Sequence, residues 1–415
     1  MILGMKKTLF ACMGGLFFVA GIALVYVTLP RPLSRNSIVQ HFLPAYRSLA
    51  KLADMPYLGY FFFDTQLPEY TLMIATDDIS RLHNALPQDP FEGRLLENFK
   101  DTKVPAFFIA DGYMDKVDVR YRGINPIHWT TKKKSLRVNF PDDQLFQNHE
   151  VLNFIVPEDR HWIGSMVARY RAQKLDVEMP EISFVNLAIN NEPMGVYVEV
   201  EGWTSHFFER RDLPSVGAYL YGTKDVDRQD SLYVQDWEEQ LSDDTRPFVK
   251  LQEFFDAYAL SNGAFQENMR DILDMESYSR VVALNVLFAN VAEPQNMRLY
   301  YNPEHKRFSV IPSDEVSIFC QEGQLTSLAQ AGFLRRLTEL SDVRNRVADI
   351  VRSYVADEKN LEDDLRYFDA VWDSIKGDIF RDTAKAIPNY RVEQEISSMR
   401  LCLIDSFRKA SAILP

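Results

Sequence analysis

The sequence is poor in the residues and motifs by which several protein classes are recognised. Only three cysteines occur in 415 residues, so a disulfide framework is excluded. The seven histidines are scattered without the spacing of metal ligands, which gives no zinc site. Neither a Gly-x-Ser-x-Gly motif nor a P-loop is present. The common serine hydrolases and P-loop NTPases are therefore not indicated.

Basic residues are also scarce. The chain has 46 Lys and Arg against 59 Asp and Glu, a formal net charge of -13. Nucleic-acid binding needs clustered cations, and the one basic cluster here is short, running from Lys132 to Lys134. The composition is otherwise that of a globular protein, with 46% hydrophobic residues. A nucleic-acid binder is therefore not expected.

The cysteines allow two interpretations. Cys12 lies in an apolar run, which leaves Cys320 and Cys402 as a candidate pair in an oxidising compartment. Two buried free thiols acting as small hydrophobic side chains fit the sequence as well.

The N-terminus carries an uncharged run from Thr8 to Leu29, preceded by Lys6 and Lys7. A helix of about 20 apolar residues spans a hydrocarbon core, whereas a cleaved signal peptide usually has a shorter apolar region. We therefore predict one uncleaved membrane anchor within residues 1–35, with the body outside the cytoplasm on the periplasmic or extracellular face. Residues 36–67 would form a juxtamembrane region.

Hydrophobic periodicity divides the remainder into two parts. Alternating apolar residues predict hairpins in residues 68–202, with one helix over Ile163–Leu175. Residues 203–415 show mostly helical spacing, with a short strand pair at Met297–Asn302 and Arg307–Ile311. We therefore predict an α+β, two-lobed fold with a strand-rich N-terminal lobe and a helical C-terminal lobe, preceded by one transmembrane helix. The predicted helices of the second part are Phe248–Leu260, Met275–Ala289, Phe333–Val355, Leu361–Ile379 and Val392–Ile413.

Polar residues suited to a phosphate site lie in two stretches of the chain. The first holds the basic turn Tyr121–Gly123 and the lysines that lead into a strand, and the second holds Asn296 and Asp314. In phosphoryl-transfer sites a lysine contacts phosphate oxygens, while an asparagine and an aspartate bind Mg²⁺. The two stretches together therefore contain the parts of a Mg²⁺–nucleotide site.

Six short signatures in the same order resemble the CotH family of spore-coat-type atypical protein kinases. They are Val117–Gly123, Lys133–Phe140, Ile189–Tyr197 with Glu201, Ile272–Tyr278, Asn296–Tyr300 and Phe308–Asp314. The resemblance implies a kinase-like fold that uses ATP with Mg²⁺ or Mn²⁺ to phosphorylate protein Ser or Thr.

The resemblance also implies roles for individual residues. The lysine that holds the phosphates of ATP falls on Lys134 or Lys133, and Arg122 with Gly123 would lie over the phosphates. Glu201 would pair with that lysine, with Glu199 as a competitor on the same strand face. The metal ligands would be Asn296 and Asp314.

The catalytic loop departs from the kinase pattern, in which the base precedes the metal-binding asparagine by five residues. Val291 stands there, so Glu293 is the candidate base, and Val316 replaces a second metal-binding acid. We therefore keep two functions open: a membrane-anchored extracytoplasmic protein kinase, or a pseudokinase scaffold in a cell-envelope or exopolysaccharide assembly. The expected partners are a protein substrate or an assembly partner and the membrane, without nucleic acid.

Overall fold

The structure is a computed structural model of the chain. It describes residues 51–87, 101–123, 125–214, 218–221, 237–241, 249–290, 297–312, 331–332 and 334–413.

Seven of the described strands close into a barrel in the order β1-β2-β3-β4-β5-β7-β6. Neighbouring strands are antiparallel except at the closing edge, where β1 runs parallel to β6. The strands are β1 (Glu69–Ile74), β2 (Val104–Ala110), β3 (Tyr113–Tyr121), β4 (Leu136–Asn139), β5 (Val151–Ile155), β6 (Ile182–Ile189) and β7 (Glu192–Glu201).

The alternation of side chains along the strands determines what fills the barrel. Leu72, Phe108, Val138 and Phe154 point inward and are fully buried together with Tyr197. The opposite face of β7 carries Val196, Val198 and Val200, which belong to a second core shared with the helices. β7 is therefore buried on both faces from Val196 onward, which accounts for its unbroken apolar run Val196–Val198.

The rest of the described chain is mostly helical and packs on the outside of the barrel. A four-stranded sheet in the order β11-β10-β8-β9 lies among the helices. Its strands are β8 (Ala218–Tyr221), β9 (Trp237–Leu241), β10 (Met297–Asn302) and β11 (Arg307–Pro312). The helices are α1 (Thr76–Asn84), α2 (Gly164–Lys174), α3 (Ser205–Glu209), α4 (Val249–Ala259), α5 (Asn262–Ile272), α6 (Met275–Leu287), α7 (Arg335–Thr338), α8 (Ser341–Ala356), α9 (Glu358–Arg381) and α10 (Asn389–Lys409).

A buried ion pair joins four of these helices. Arg171 on α2 donates from Nε and Nη2 to Oδ2 of Asp364 on α9, at 3.0 and 2.7 Å. Its Nη1 donates to the carbonyl oxygen of Leu287, the last residue of α6. The hydroxyl of Tyr354 on α8 donates to the same carboxylate, and Lys174 adds a second cation. Each charge in this centre has a partner, as a charge buried away from water requires.

The predicted fold class was wrong. The first part of the chain does not form the strand-rich lobe of a two-lobed, kinase-like fold, because the parallel pairing of β1 with β6 closes its strands into a barrel. Periodicity shows which side chains point inward but not which strand edges meet, so this closure could not be read from the sequence. The domain boundaries stay a prediction.

The prediction of a membrane anchor is also corrected. Among the residues that the structure describes, no helix combines the length and the apolar character needed to span a membrane. The segment Thr8–Leu29, on which the prediction depended, lies outside the described residues. The single transmembrane helix and the location of the body outside the cytoplasm are therefore withdrawn.

Cys402 on α10 is disulfide-bonded, which favours the first of the two interpretations of the cysteines. Cys12 and Cys320 lie outside the described residues.

Candidate functional site

The loop between β3 and β4 carries the basic cluster and is held from within by a buried histidine. His128 Nδ1 lies 2.9 Å from Ser135 Oγ, and its Nε2 lies 3.3 Å from Asp159 Oδ1. Gly123 has φ +92° and packs so closely that a Cβ there would lie 2.1 Å from the imidazole. The close contact with His128 therefore explains the glycine of the Arg122-Gly123 signature. Ser135 is fully buried, so the Ser–His–Asp chain organises the loop rather than presenting a nucleophile.

The three consecutive lysines lie in three different environments. Lys132 is exposed and pairs with Glu192. Lys133 is only 1% exposed, and its Nζ lies 2.5 Å from Oδ2 of Asp382. Lys134 is half-buried and donates to the carbonyl oxygen of Thr131 at 2.7 Å, and burial lowers its pKa.

Asp382, just after α9, is the centre of a buried cluster at this loop. Besides Lys133, its carboxylate accepts hydrogen bonds from the backbone N–H groups of Val196, Ala384 and Lys385 at 3.1, 2.8 and 3.1 Å. Gly195 has φ +77°, and a Cβ there would lie 2.1 Å from the Asp382 carboxyl carbon.

Tyr197 forms the other wall of this cluster. Lys133 Nζ lies 4.8 Å from the centre of the Tyr197 ring, and the Tyr197 hydroxyl donates to the carbonyl oxygen of Lys134. Burial raises the pKa of that hydroxyl well above its usual value. The lysine, glycine and tyrosine of the recognised signatures thus form one buried structural cluster with Asp382.

The two acids at the end of β7 do not pair with either lysine. Glu201 binds Arg211, with Nη2 2.9 Å from Oε2, and also contacts Arg210. Its Oε2 accepts the backbone N–H of Glu181 as well. Glu199 lies inside the barrel, 8% exposed, and accepts one hydrogen bond from Ser183 at 2.8 Å. Burial raises the pKa of Glu199 to about 7, although Ser183 and Tyr70 act against this shift.

The outer face of β3 and β4 carries two arginines, and a third follows directly after the end of β3. Arg120 lies directly opposite Arg137 in the β3–β4 register, and Arg122 follows two residues beyond Arg120. Arg137 is half-buried; burial lowers its pKa to about 10, and the charge of Arg122 acts in the same direction.

The predicted base Glu293 and metal ligands Asn296 and Asp314 lie outside the described residues. The hairpin that adjoins them is described. Met297 pairs with Pro312, so the first residue of β10 and the last of β11 lie side by side at one end of the hairpin. In the described part of the chain, no group of three His, Cys, Asp or Glu is arranged to hold a metal ion.

Comparison with known proteins points to one family. The family described as CotH kinase protein matches residues 119–315, which run from β3 to just beyond β11. The chain is 21% identical to inner spore coat protein H of Bacillus subtilis (strain 168) over 262 residues, covering 60% of this chain and 68% of that protein. The family match covers just under half of this chain, and together with this relative it supports a divergent member of the CotH family.

One solved structure aligns with most of the chain but only loosely. It is the complex of the toxin–antitoxin proteins HipA and HipB with operator DNA from Shewanella oneidensis MR-1, at 12% identity and a TM-score of 0.31. The alignment covers 82% of this chain and 73% of that chain. A similarity this low supports no argument about fold or function.

Two features of this candidate site were not predicted. Asp382 lies 249 residues from Lys133 and beyond the matched region, and no local pattern marks it. Arg137 had a usable signal, because Leu136 and Val138 are its inward-facing neighbours and strand alternation places Arg137 on the outer face.

Proposed function

We propose that the chain binds a Mg²⁺ or Mn²⁺ complex of ATP and transfers its γ-phosphate to a protein hydroxyl. The match to the CotH kinase family supports the use of a nucleotide and a divalent metal. The observation that carries the proposal is the pairing of Met297 with Pro312. It brings the chain that follows Asn296 and the chain that leads to Asp314 to the same end of one hairpin, as two ligands of one metal require.

The arginines near β3 and β4 suit the phosphate groups of this ligand better than the predicted lysine does. Lys133 is sealed against Asp382, whereas the arginine face of β3 and β4 presents delocalised cations suited to phosphate oxygens. Asn296 and Asp314 would hold the metal, whose charge would neutralise the phosphates. Glu293 would accept the proton of the protein hydroxyl, and Arg122, Gly123 and Lys134 would border the nucleotide.

The test is metal-dependent transfer of labelled phosphate from ATP to a generic protein acceptor or to the chain itself. We expect incorporation by the full chain and its loss in Asp314→Ala. Glu304→Ala is the matched control, because Glu304 lies in the turn at the other end of the same hairpin. Incorporation that survives Asp314→Ala, or that the control also abolishes, would refute the assignment. Glu293→Ala then separates the proton acceptor from the metal site.

A pseudokinase that acts as a scaffold for protein partners is the second candidate. It is favoured by the complete pairing of Lys133 with Asp382 and of Glu201 with Arg210 and Arg211, which leaves neither group in the arrangement that the resemblance implies. This candidate predicts no transfer by a well-folded chain and a function in cells that tolerates Asp314→Ala. A defect in cells from that substitution at normal protein level would count against it.

A further inference from the structure

The cross-strand pair Arg120 and Arg137 is an unusual arrangement of like charges. Residues directly opposite on neighbouring antiparallel strands have Cβ atoms about 5 Å apart, and like charges there are destabilising. Arg122 adds a third cation, close enough to oppose the charge on Arg137. An anion bound at Arg137 would offset this repulsion.

Arg137 is the member of this face on which the inference rests. Its Nε donates to Asn139 Oδ1 at 3.2 Å, and in the described part of the chain no carboxylate oxygen lies within 4.0 Å of it. Glu150 is the acid that favours its charge, but Glu150 also pairs with His206 at 3.4 Å. The guanidinium therefore keeps donors for a further acceptor.

A second observation points to a ligand at the same place. Asn153 on β5 lies directly opposite Arg137 and is 4% exposed. Its Nδ2 donates to the carbonyl oxygen of Val200 at 3.3 Å, while its Oδ1 has no hydrogen-bond partner among the described residues. An unsatisfied buried acceptor costs about 1–3 kcal/mol, which a ligand N–H or O–H would offset.

We propose that the outer face of β3, β4 and β5 is a nucleotide subsite in which Arg137 binds phosphate oxygens and Asn153 accepts a hydrogen bond from the sugar or base. The subsite deepens the proposed function. It assigns the phosphate contact to Arg137 rather than to Lys133, whose ammonium group is taken by Asp382. A guanidinium matches phosphate oxygens with two parallel N–H donors, which an ammonium group does not.

The experiment is calorimetric titration of the full chain with ATP and with inorganic tripolyphosphate, both without divalent metal. We expect both to bind, and Arg137→Gln to weaken both at least about tenfold, while Arg137→Lys recovers part of the loss. Asn153→Ser is expected to weaken ATP alone, because tripolyphosphate has neither a sugar nor a base. The control is Arg400→Gln, which removes the same charge from a paired arginine on α10 and should change neither affinity.

Each outcome bears on the inference. Unchanged affinity in Arg137→Gln, an equal loss in Arg400→Gln, or no binding by the unaltered chain would overturn it. An effect of Asn153→Ser on both ligands would remove the nucleotide from the proposal and leave a general polyphosphate site. Metal-free binding that depends on Arg137, in a chain that transfers no phosphate, would leave this inference standing and refute only the transfer reaction.

Discussion

The lysine loop and the outer face of β3 and β4 differ in whether a buried cation has a close counter-ion. At the loop, Lys133 and Asp382 are each about 1% exposed, and the carboxylate also accepts three backbone N–H groups. On the strand face, Arg137 is half-buried beside two other cations and has no close carboxylate in the described part of the chain. Lys133 therefore has a close counter-ion, and Arg137 has none among the described residues.

This difference separates residues that hold the fold from residues that are available to a ligand. A buried pair whose opposite charges neutralise each other offers no net charge to phosphate, and breaking it is costly. Donors that are left over after folding are what a ligand can use. By this criterion the buried lysine of the family signature is structural, although the sequence pattern marks it most strongly.

The largest effect is expected from breaking the buried pair. Asp382→Ala leaves the Lys133 ammonium group buried without a counter-ion, and should lower the free energy of unfolding by roughly 3–5 kcal/mol in chemical denaturation. The double variant Lys133→Met, Asp382→Leu should recover much of this loss, because it removes the unpaired Lys133 ammonium group.

Asp373→Ala, on the helix α9 that precedes Asp382, is the control for this experiment. Asp373 is 65% exposed and pairs with Lys376 three residues later, so its loss should cost less than about 1 kcal/mol. Equal stability of Asp382→Ala and the unaltered chain would show that the buried pair does not hold the loop.

Glu199 is buried like Lys133 and Asp382, but one of its carboxylate oxygens has no hydrogen-bond partner in the described structure. Its pKa in the folded chain is raised from 4.5 to about 7. The protonated form is therefore favoured by folding: stability is complete below about pH 4.5, falls as the pH rises toward about 7, and then levels off. The shift corresponds to about 3 kcal/mol at most, taking 1.36 kcal/mol per pKa unit.

Glu199→Gln tests this dependence, because the amide resembles the protonated acid and still accepts from Ser183. We expect the variant to be more stable than the unaltered chain at about pH 8 and similar to it at about pH 4.5, by chemical denaturation. Glu192→Gln, at the exposed start of the same strand, should keep the original pH profile. Parallel profiles for Glu199→Gln and the unaltered chain would contradict the assignment.

The secondary structure was largely predictable, for a local reason. Helical spacing fixes α2, α4, α6, α9 and α10 to within a few residues, since each buries one stripe of apolar side chains. The predicted helix over Phe333–Val355 is interrupted before Ser341, and α5 was missed, because it follows α4 after only two residues.

The site was less predictable because its decisive contacts are distant in sequence. Gly195, Tyr197 and Lys133 were recognised as signatures, but the acid that explains all three comes from the end of α9. The parallel closure of β1 onto β6 is of the same kind, since β1 joins a strand more than a hundred residues away. Only Arg137 could have been predicted, from the alternation of inward-facing and outward-facing side chains along β4.

A smaller effect of opposite sign is expected on the open face. Without ligand, Arg137→Gln should leave the free energy of unfolding unchanged or raise it by up to about 1 kcal/mol, because it removes one of two opposed like charges. The gain should shrink as salt is added, since salt screens exposed charge. A loss above about 1 kcal/mol would show that Arg137 holds the fold and would move it into the class of Lys133. Arg400→Gln, which breaks an exposed pair with Asp369, should lose a few tenths of a kcal/mol instead.

The smallest effect is expected at Lys132, the immediate neighbour of the most costly position. Its pair with Glu192 is close, at 2.5 Å, but the side chains are 58% and 60% exposed. Water and salt screen such a pair, so a double-mutant cycle of Lys132→Ala and Glu192→Ala should give a coupling below about 1 kcal/mol. The corresponding cycle on Lys133 and Asp382 should give several times more. Couplings of equal size would mean that contact distance, and not exclusion of water, sets the strength of these pairs. The distinction between buried, paired charges and charges available to a ligand would then be unsupported.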